Sequence, residues 1–520
     1  MNFGVNSIMG QISNIILYGK NTAMSDRDFY ELEIGRWRAS PRRILQIKGQ
    51  LYYEGEHDIT RRKRTMIGED GKPQVVENLP NNRIIDNQYG KLVNQKTNYL
   101  VGQPFVLEGD NDAYIELLKE VFNKRFMKTL KNAVKYSVNT GISWLYPYYD
   151  DEGKFAFRVF PGYEVLPFWR DSEHTILDAA IRLYLVEGYE GRNPVIIEKV
   201  EIYDKTGIHR FTYDGANLVP DVDTPEGVAD TSHITAVDQD GKIMGFNWQR
   251  IPLIPIKYNE QEIPLIRKVK SLQDGINVML SDFENNMQED ARNTILVLKN
   301  YDGTNLGEFR RNLATFGAVK VRYDGDTKGG VETLTITVNA ENYKAIIEIF
   351  KKALIENGMG YDAKDDRLSG NPNQMNIQSM YSDIDLDAND METELQSAFD
   401  EILWFVNAYF ANAGAGDFTG EEVNVIFNRD ILINETEAIE NCKASVGILS
   451  DETIIGQHPW IDDPQKEMER LEEQKKKEQE DMFNQGVFPN AGGNPFQAKQ
   501  PGGDAGKGGV KDGNGEQAAS

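Results

Sequence analysis

Asp383, Asp385 and Asp387 stand at alternate positions, and Asn389 and Glu394 follow them. Counted from Asp383, carboxylates fall at the first, third, fifth and twelfth places of a calcium-binding loop. Ala388 occupies the sixth place, where such a loop needs glycine for its sharp turn, and Ile384 and Leu386 are apolar for such a loop. The run reads better as the acidic early turns of a long helix, where the dipole favours negative charge. A second polar group lies just before it, in the Gly-, Asn- and Asp-rich segment 358–376. Lys364 and Arg367 are cationic, and Ser369, Asn371, Asn373 and Gln374 are neutral donors. Asp362, Asp365 and Asp366 sit among them, and Pro372 stiffens the middle. That mixture suits weak contact with phosphates and carries no base readout.

Other chemistry is thinly represented. No phosphate-cradling loop is present: Gly68–Lys72 and Gly241–Lys242 lack the spaced glycine and the following Ser or Thr. The histidines, His57, His174, His209, His233 and His458, have no metal-ligand spacing. No Gly-x-Ser-x-Gly elbow occurs. Cys442 is the single cysteine, so no intrachain disulfide forms, and the thiol reads as a small packed residue. No catalytic residue, metal or cofactor is expected.

The elements around the polar segment are long helices. Leu265–Asp290 repeats apolar residues at three- and four-residue steps, through Leu272, Ile276, Met279 and Phe283. At 1.5 Å per residue it spans about 39 Å. β-rich stretches follow at Thr294–Lys299, Ala318–Tyr323 and Leu334–Val338. A second helix returns from Ala340 to Glu356 through Ile346, Ile347 and Phe350, and a third runs from Ser379 to Ala411. Two adjacent helices with a small module at their far end make a stalk. A stalk has little core of its own, so its stripes are expected to be only partly covered within one subunit and to pack on a neighbouring copy. Lys268, Lys270, Lys351 and Lys352 are candidate charges on a central bore.

Upstream, Asp26–Arg36, Pro41–Leu51, Ile84–Leu100, Asn111–Asn123 and Phe126–Asn139 read as helices. Strands are expected at Ser143–Tyr149, Lys154–Phe160, Ala180–Val186, Ile196–Tyr203, His209–Tyr213 and Leu253–Lys257. Downstream, Val423–Phe427 reads as a strand and Glu435–Leu449 and Gln465–Met482 as helices. The fold class is α+β. Of 520 residues, 40% are hydrophobic, enough for a sizeable core. No apolar run reaches the length of a membrane span. The net charge of −25 disfavours tight nucleic-acid binding. It is compatible with an acidic conduit in which a polyanion slides.

A second stretch completes the pattern. Tyr52-Tyr53-Glu54-Gly55-Glu56-His57-Asp58-Ile59 precedes Asn82-Arg83-Ile84-Ile85, and a helix then ends in Leu100-Val101-Gly102-Gln103-Pro104. With the stalk and its polar loop, this resembles the portal proteins of tailed phages, in the family typical of phages of Gram-positive bacteria. The resemblance runs from about Tyr30 to Gln474. It implies an N-terminal arm (1–25), an α+β wing (26–263), stem helix one (264–292), a small α/β clip (293–339) and stem helix two (340–357). A channel loop (358–377), a long wing helix (378–413), a wing edge with a helical crown (414–482) and a disordered Gly-rich tail (483–520) complete it. It further implies a ring of about twelve copies at one capsid vertex of the virion, assembled in the host cytoplasm. Duplex DNA would pass through the ring non-specifically, driven by the terminase large subunit. Major capsid and scaffolding proteins would surround it and a head-completion adaptor would bind the clip, with no membrane involved. Two other classes stay open: a different oligomeric virion protein, such as an adaptor or tail-tube component, and a metal-dependent DNA-packaging nuclease.

Overall fold

The computed structural model describes residues 25–484 apart from 68–70, 77–78, 151, 225–226, 238–242, 291–293, 300–304, 306, 308, 310–322, 325–326, 329, 336–339, 363–373, 430–434 and 462–463. The chain forms two units, divided after Leu432.

Local chemistry sets the helix ends in the first unit. Helix α1 (Asp26–Arg38) starts at Ser25, whose hydroxyl accepts from the Asp28 N–H while the Asp28 carboxylate accepts from Ser25. Helix α2 (Pro41–Glu54) is capped by Ser40, carries Pro41 in its first turn and stops at Gly55 with φ of 91°. Helix α3 spans Gln88–Val101, α4 Asp112–Val121 and α5 Lys124–Thr140. Asn87, Asn111 and Asn123 cap them with their side-chain oxygens.

A six-stranded antiparallel sheet follows. Its order is 218–220, 207–213, 193–204, 177–190 and 165–169, with 230–231 also on 207–213. Helix α1 covers one face, setting Phe29, Ile34 and Trp37 on Phe168, Ile181, Leu183, Val200 and Ile202. A three-stranded sheet, in the order 254–257, 142–149 and 155–161, backs α5.

Helix α6 (Ile266–Asp290) and helix α7 (Ala340–Asn357) pack on each other. Phe283 meets Tyr343 and Gly275 meets Phe350, so the two run antiparallel. Between them, Thr294–Lys299 pairs with Gly330–Thr335. Helix α8 (Gln374–Asn412) has 39 residues, about 58 Å of helix. It supplies Leu395, Phe399, Ile402, Phe405 and Val406 to the largest core, beside Leu92, Val93, Leu130, Val134, Ile254 and Ile256. Strand Asn424–Ile426 closes this unit on Val106–Glu108. The second unit contains α9 (Glu435–Ala444), α10 (Asp451–Gly456) and α11 (Pro464–Asn484). No helix among the described residues is long and apolar enough to cross a membrane.

The fold is mixed helix and strand, in line with the α+β expectation. Several boundaries differ from the sequence reading; the strand expected at Leu334–Val338 is paired over Gly330–Thr335, and that expected at Ala180–Val186 spans Leu177–Glu190. Ile84–Asn87 is extended and α3 begins at Gln88, because the backbone there is held by side chains of α6, described below. Helix α8 begins at Gln374, so the last residues assigned to the loop are helical. Helix α9 stops at Ala444, short of Leu449. Residues 1–24 of the expected N-terminal arm (1–25), residues 485–520 of the expected tail (483–520) and most of the Ala318–Tyr323 strand lie outside the described residues.

Ile276 is fully buried within a single chain. It is a core residue and not an inter-subunit contact, which corrects the stalk expectation at that position. Ile276→Ala is expected to destabilise the subunit by about 2–5 kcal/mol, through lost burial plus a cavity. A urea midpoint close to wild type would show that the site is loosely packed.

Candidate functional site

Helix α6 carries two different faces. Gln273, Asn277, Ser281 and Asn285 recur at every fourth residue, and all four are buried. They accept backbone N–H groups from the segment that leads into α3. Asn285 Oδ1 accepts from Asn82 N at 2.7 Å, Ser281 Oγ from Ile84 N at 2.9 Å and Asn277 Oδ1 from Asp86 N at 3.1 Å. Gln273 Oε1 accepts from Tyr89 N at 2.8 Å, and its Nε2 donates to the Asp86 carbonyl at 2.8 Å. Four helical residues rise about 6 Å and two extended residues about 6.6 Å, so the two repeats stay in step. Each N–H left unpaired there would cost about 1–3 kcal/mol.

His57 closes this ladder from the other side. Its Nδ1 accepts from Asn277 Nδ2 at 2.7 Å, and Nε2–H donates to the Tyr52 carbonyl at 3.0 Å. The ring stacks on Tyr52 at 4.4 Å. Burial holds the His57 pKa below the ordinary histidine value.

The root of the 363–373 segment is the turn Gly358-Met359-Gly360 after α7. Met359 has φ of 51°, in the left-handed region. A Cβ on Gly358 or Gly360 would stand 2.2 or 2.3 Å from the Leu92 methyl groups of α3. The Met359 carbonyl accepts from Lys96 Nζ at 3.0 Å. That buried ammonium also pairs with Asp387 of α8 at 2.6 Å, and Asp387 accepts from the Tyr258 hydroxyl at 2.9 Å. Burial lowers the Lys96 pKa to about 8, against the opposing pull of Asp387. Gln95 donates to the Tyr361 carbonyl at 3.0 Å, and Tyr361 packs on Tyr381 of α8, ring centroids 4.7 Å apart. Helix α3 thus grips both flanks of the segment, the end of α7 and the first turns of α8.

Comparison with known proteins decides what this arrangement belongs to. Residues 42–481 match the family model described as phage portal protein, SPP1 Gp6-like. The chain belongs to this portal protein family. It is 30% identical over 432 residues to the portal protein of Bacillus phage SPP1, covering 82% of this chain and 83% of that one. To the portal protein of Clostridium phage phiCD119 it is 27% identical over 450 residues, covering 84% and 92%. A chain from the neck of a gene transfer agent particle superposes with a TM-score of 0.37 at 12% identity, over 71% of this chain and 88% of its own, too distant to bear on the fold.

The residues expected to pack the stem divide. Leu272, Met279, Phe283, Ile347 and Phe350 are half-buried, Phe283 and Phe350 between the two helices. Ile346 is 37% exposed, Ile349 63% and Met287 50%. Sequence reading overlooked Ile349 and counted Met287 only as part of the apolar stripe of the 265–290 helix. Of the candidate bore charges, Lys270 is held by Asp58 at 2.7 Å and Asp274 at 2.6 Å, and Lys351 by Asp86 at 2.6 Å. Those two are spent within the subunit, whereas Lys268 is exposed and Lys352, among the described residues, meets Glu356 at 4.0 Å. Lys364, Arg367, Ser369, Asn371 and Asn373 lie outside the described residues. Gln374 is the first residue of α8. Asp383, Asp385 and Asp387 all lie on α8. Asp385 takes the Tyr99 hydroxyl and Arg429 at 3.0 Å, and Asp387 takes Lys96.

The His57 contact sets a pH dependence. A histidine whose folded pKa is depressed leaves the unfolded chain binding more protons, so its stability contribution is present above the unfolded value of about 6.5 and is lost as pH falls. Protonation would place Nδ1–H against the Asn277 amide, whose oxygen is committed to Asp86. His174 and His233 are also depressed, and His209 is raised to about 9, so the test is a difference. Between about pH 7.5 and about pH 5.5 the urea midpoint of His57→Gln should fall less than that of wild type. Parallel falls would remove His57 as the cause.

Proposed function

We propose that this chain assembles into a closed ring around a DNA channel at one vertex of a phage head. Identical copies meeting head-to-tail through unlike surfaces close such a ring, about twelve by the family resemblance. The observation that carries the reading is the anchoring of the residues that flank 363–373. A short polar segment leaves a two-helix stem and enters the 39-residue helix α8. Its root and the early turns of α8 are both held by one buried lysine. In this reading Lys364, Arg367, Ser369, Asn371, Asn373 and Gln374 face the channel in every copy. In a ring they form a collar of weak, non-specific phosphate contacts. An overall charge of −25 keeps the surrounding wall repulsive to phosphate, so the duplex slides and does not stick.

In this reading 26–263 is the wing, 264–292 and 340–357 the stem, 293–339 the clip, 358–377 the channel loop and 378–413 the long wing helix. Residues 414–482 form the wing edge and crown. Ile346, Ile349 and Met287 are the outward stem residues that meet the neighbouring copy. The terminase large subunit drives DNA through the ring, capsid and scaffolding proteins hold its rim, and an adaptor binds the clip. The work of the subunit is mechanical and positional, without a catalytic step.

Lys364→Ala with Arg367→Ala should leave ring assembly and portal occupancy per head unchanged while lowering DNA content per particle. The reversal to Glu at both positions should lower it further, and the deficit should shrink as salt shortens the Debye length below about 8 Å. Normal DNA content in these variants, or failure already at ring assembly, would remove the loop from the channel.

A further inference from the structure

Helices α3 and α5 pack side by side, and neither contains an aspartate or a glutamate. In a chain of net charge −25 that is an unusual surface. Lys124, Lys128, Lys131 and Lys135 follow at steps of four, three and four along α5. At about 100° per residue they fall within about 60° of one another, over about 17 Å of helix. Lys124 and Lys128 are exposed, and Lys131 and Lys135 are half-exposed. Arg125 beside them is neutralised by Asp150 at 3.2 Å, but none of the four lysines has a carboxylate partner among the described residues.

The stripe continues onto α3. Lys135 lies over the Tyr53 ring, Nζ 5.5 Å from its centroid, and the Tyr53 hydroxyl donates to Asn94 Oδ1 at 3.1 Å. Asn94 shares the outer edge of α3 with Lys91, Gln95 and Asn98. With Tyr361, at the root of the channel loop, these four line a furrow of about 430 Å³. The polar surface therefore runs from α5 across α3 to the foot of the loop.

No large apolar side chain of either helix is exposed. A protein–protein interface has an apolar centre and is depleted in lysine, and this face has neither property. A polyanion makes the opposite demand. Lysines act as point charges on phosphates whatever the base sequence, and asparagine amides add neutral donors. We propose that the α5 lysine stripe and the polar edge of α3 form a track for the phosphate backbone of duplex DNA, read without sequence preference. A duplex carries one charge per about 1.7 Å of axis, so the roughly 17 Å of duplex beside the stripe carries about ten phosphates against only four lysines. Contact on these terms is loose and salt-sensitive. This inference rests on the portal reading for the identity of its ligand, but not on the channel loop.

The test is binding of random-sequence duplex DNA to the purified full-length protein by fluorescence anisotropy, from about 50 to about 200 mM salt. The quadruple variant Lys124→Gln, Lys128→Gln, Lys131→Gln and Lys135→Gln should bind more weakly, with a log–log salt slope shallower by about three to four. A charge-matched control replaces Arg36, Lys119, Lys154 and Arg470 by Gln, each an exposed member of a surface ion pair. It should bind close to wild type. Melting temperature and ring formation should be unchanged in both. An unchanged slope in the stripe variant overturns the track, as does an equal loss in the control, which would mark bulk charge. Loss of rings in the stripe variant also overturns it and makes the stripe a contact between copies. A wild-type chain that forms no ring strikes the portal reading itself, whereas normal rings with an unchanged slope strike the track alone.

Discussion

The structure depends on a row of side-chain acceptors along one helix. A helix satisfies its own backbone and offers none of it sideways, so a chain laid along it must find side-chain partners for its N–H groups. Gln273, Asn277, Ser281 and Asn285 supply them to residues 82–89. That contact fixes where the extended segment ends and α3 begins. Helix α3 then carries Leu92 against the Gly358 turn and Lys96 to the Met359 carbonyl. Helices α6 and α3 and the turn after α7 are therefore set by one chain of contacts, and a shift of α6 along its axis would be felt at Met359.

The buried Lys96–Asp387 pair works on the same principle at higher stakes. Taking two charges out of water costs several kcal/mol per ion, and their attraction offsets that only when geometry and further hydrogen bonds are good. Here Asp387 also takes Tyr258, and Lys96 also takes Met359. Such a pair is poor glue but a strict locator, because any other register leaves a bare charge in the core. Both elements that flank the loop meet at this one point.

Much of this was legible in the sequence, and the misses have physical causes. The long helices showed because their apolar periods are strong, and the portal resemblance came from ordered short motifs. The extended 84–87 segment was read as helix because Ile84 and Ile85 fit a helical stripe. Its true partners lie about 190 residues away, at Asn277 and Ser281. The four-residue repeat of Gln, Asn, Ser and Asn on α6 was a readable signal that an apolar-period reading passes over. Asp383, Asp385 and Asp387 were rightly placed on a helix, but the need for Asp387 came from Lys96, which no local pattern announces. Lys351 looked free because its partner, Asp86, lies far off in sequence, and Lys270 because its i,i+4 pairing with Asp274 was not weighed beside the distant Asp58. Ile276 looked like an interface residue because a helical stripe does not reveal which chain covers it.

Electron cryomicroscopy of the purified full-length protein tests the central claim most directly. The account predicts closed rings with a central opening, α6 and α7 side by side around it and residues 363–373 at the narrowest point. Rings with that segment on the outer rim, or particles with no central opening, would contradict it.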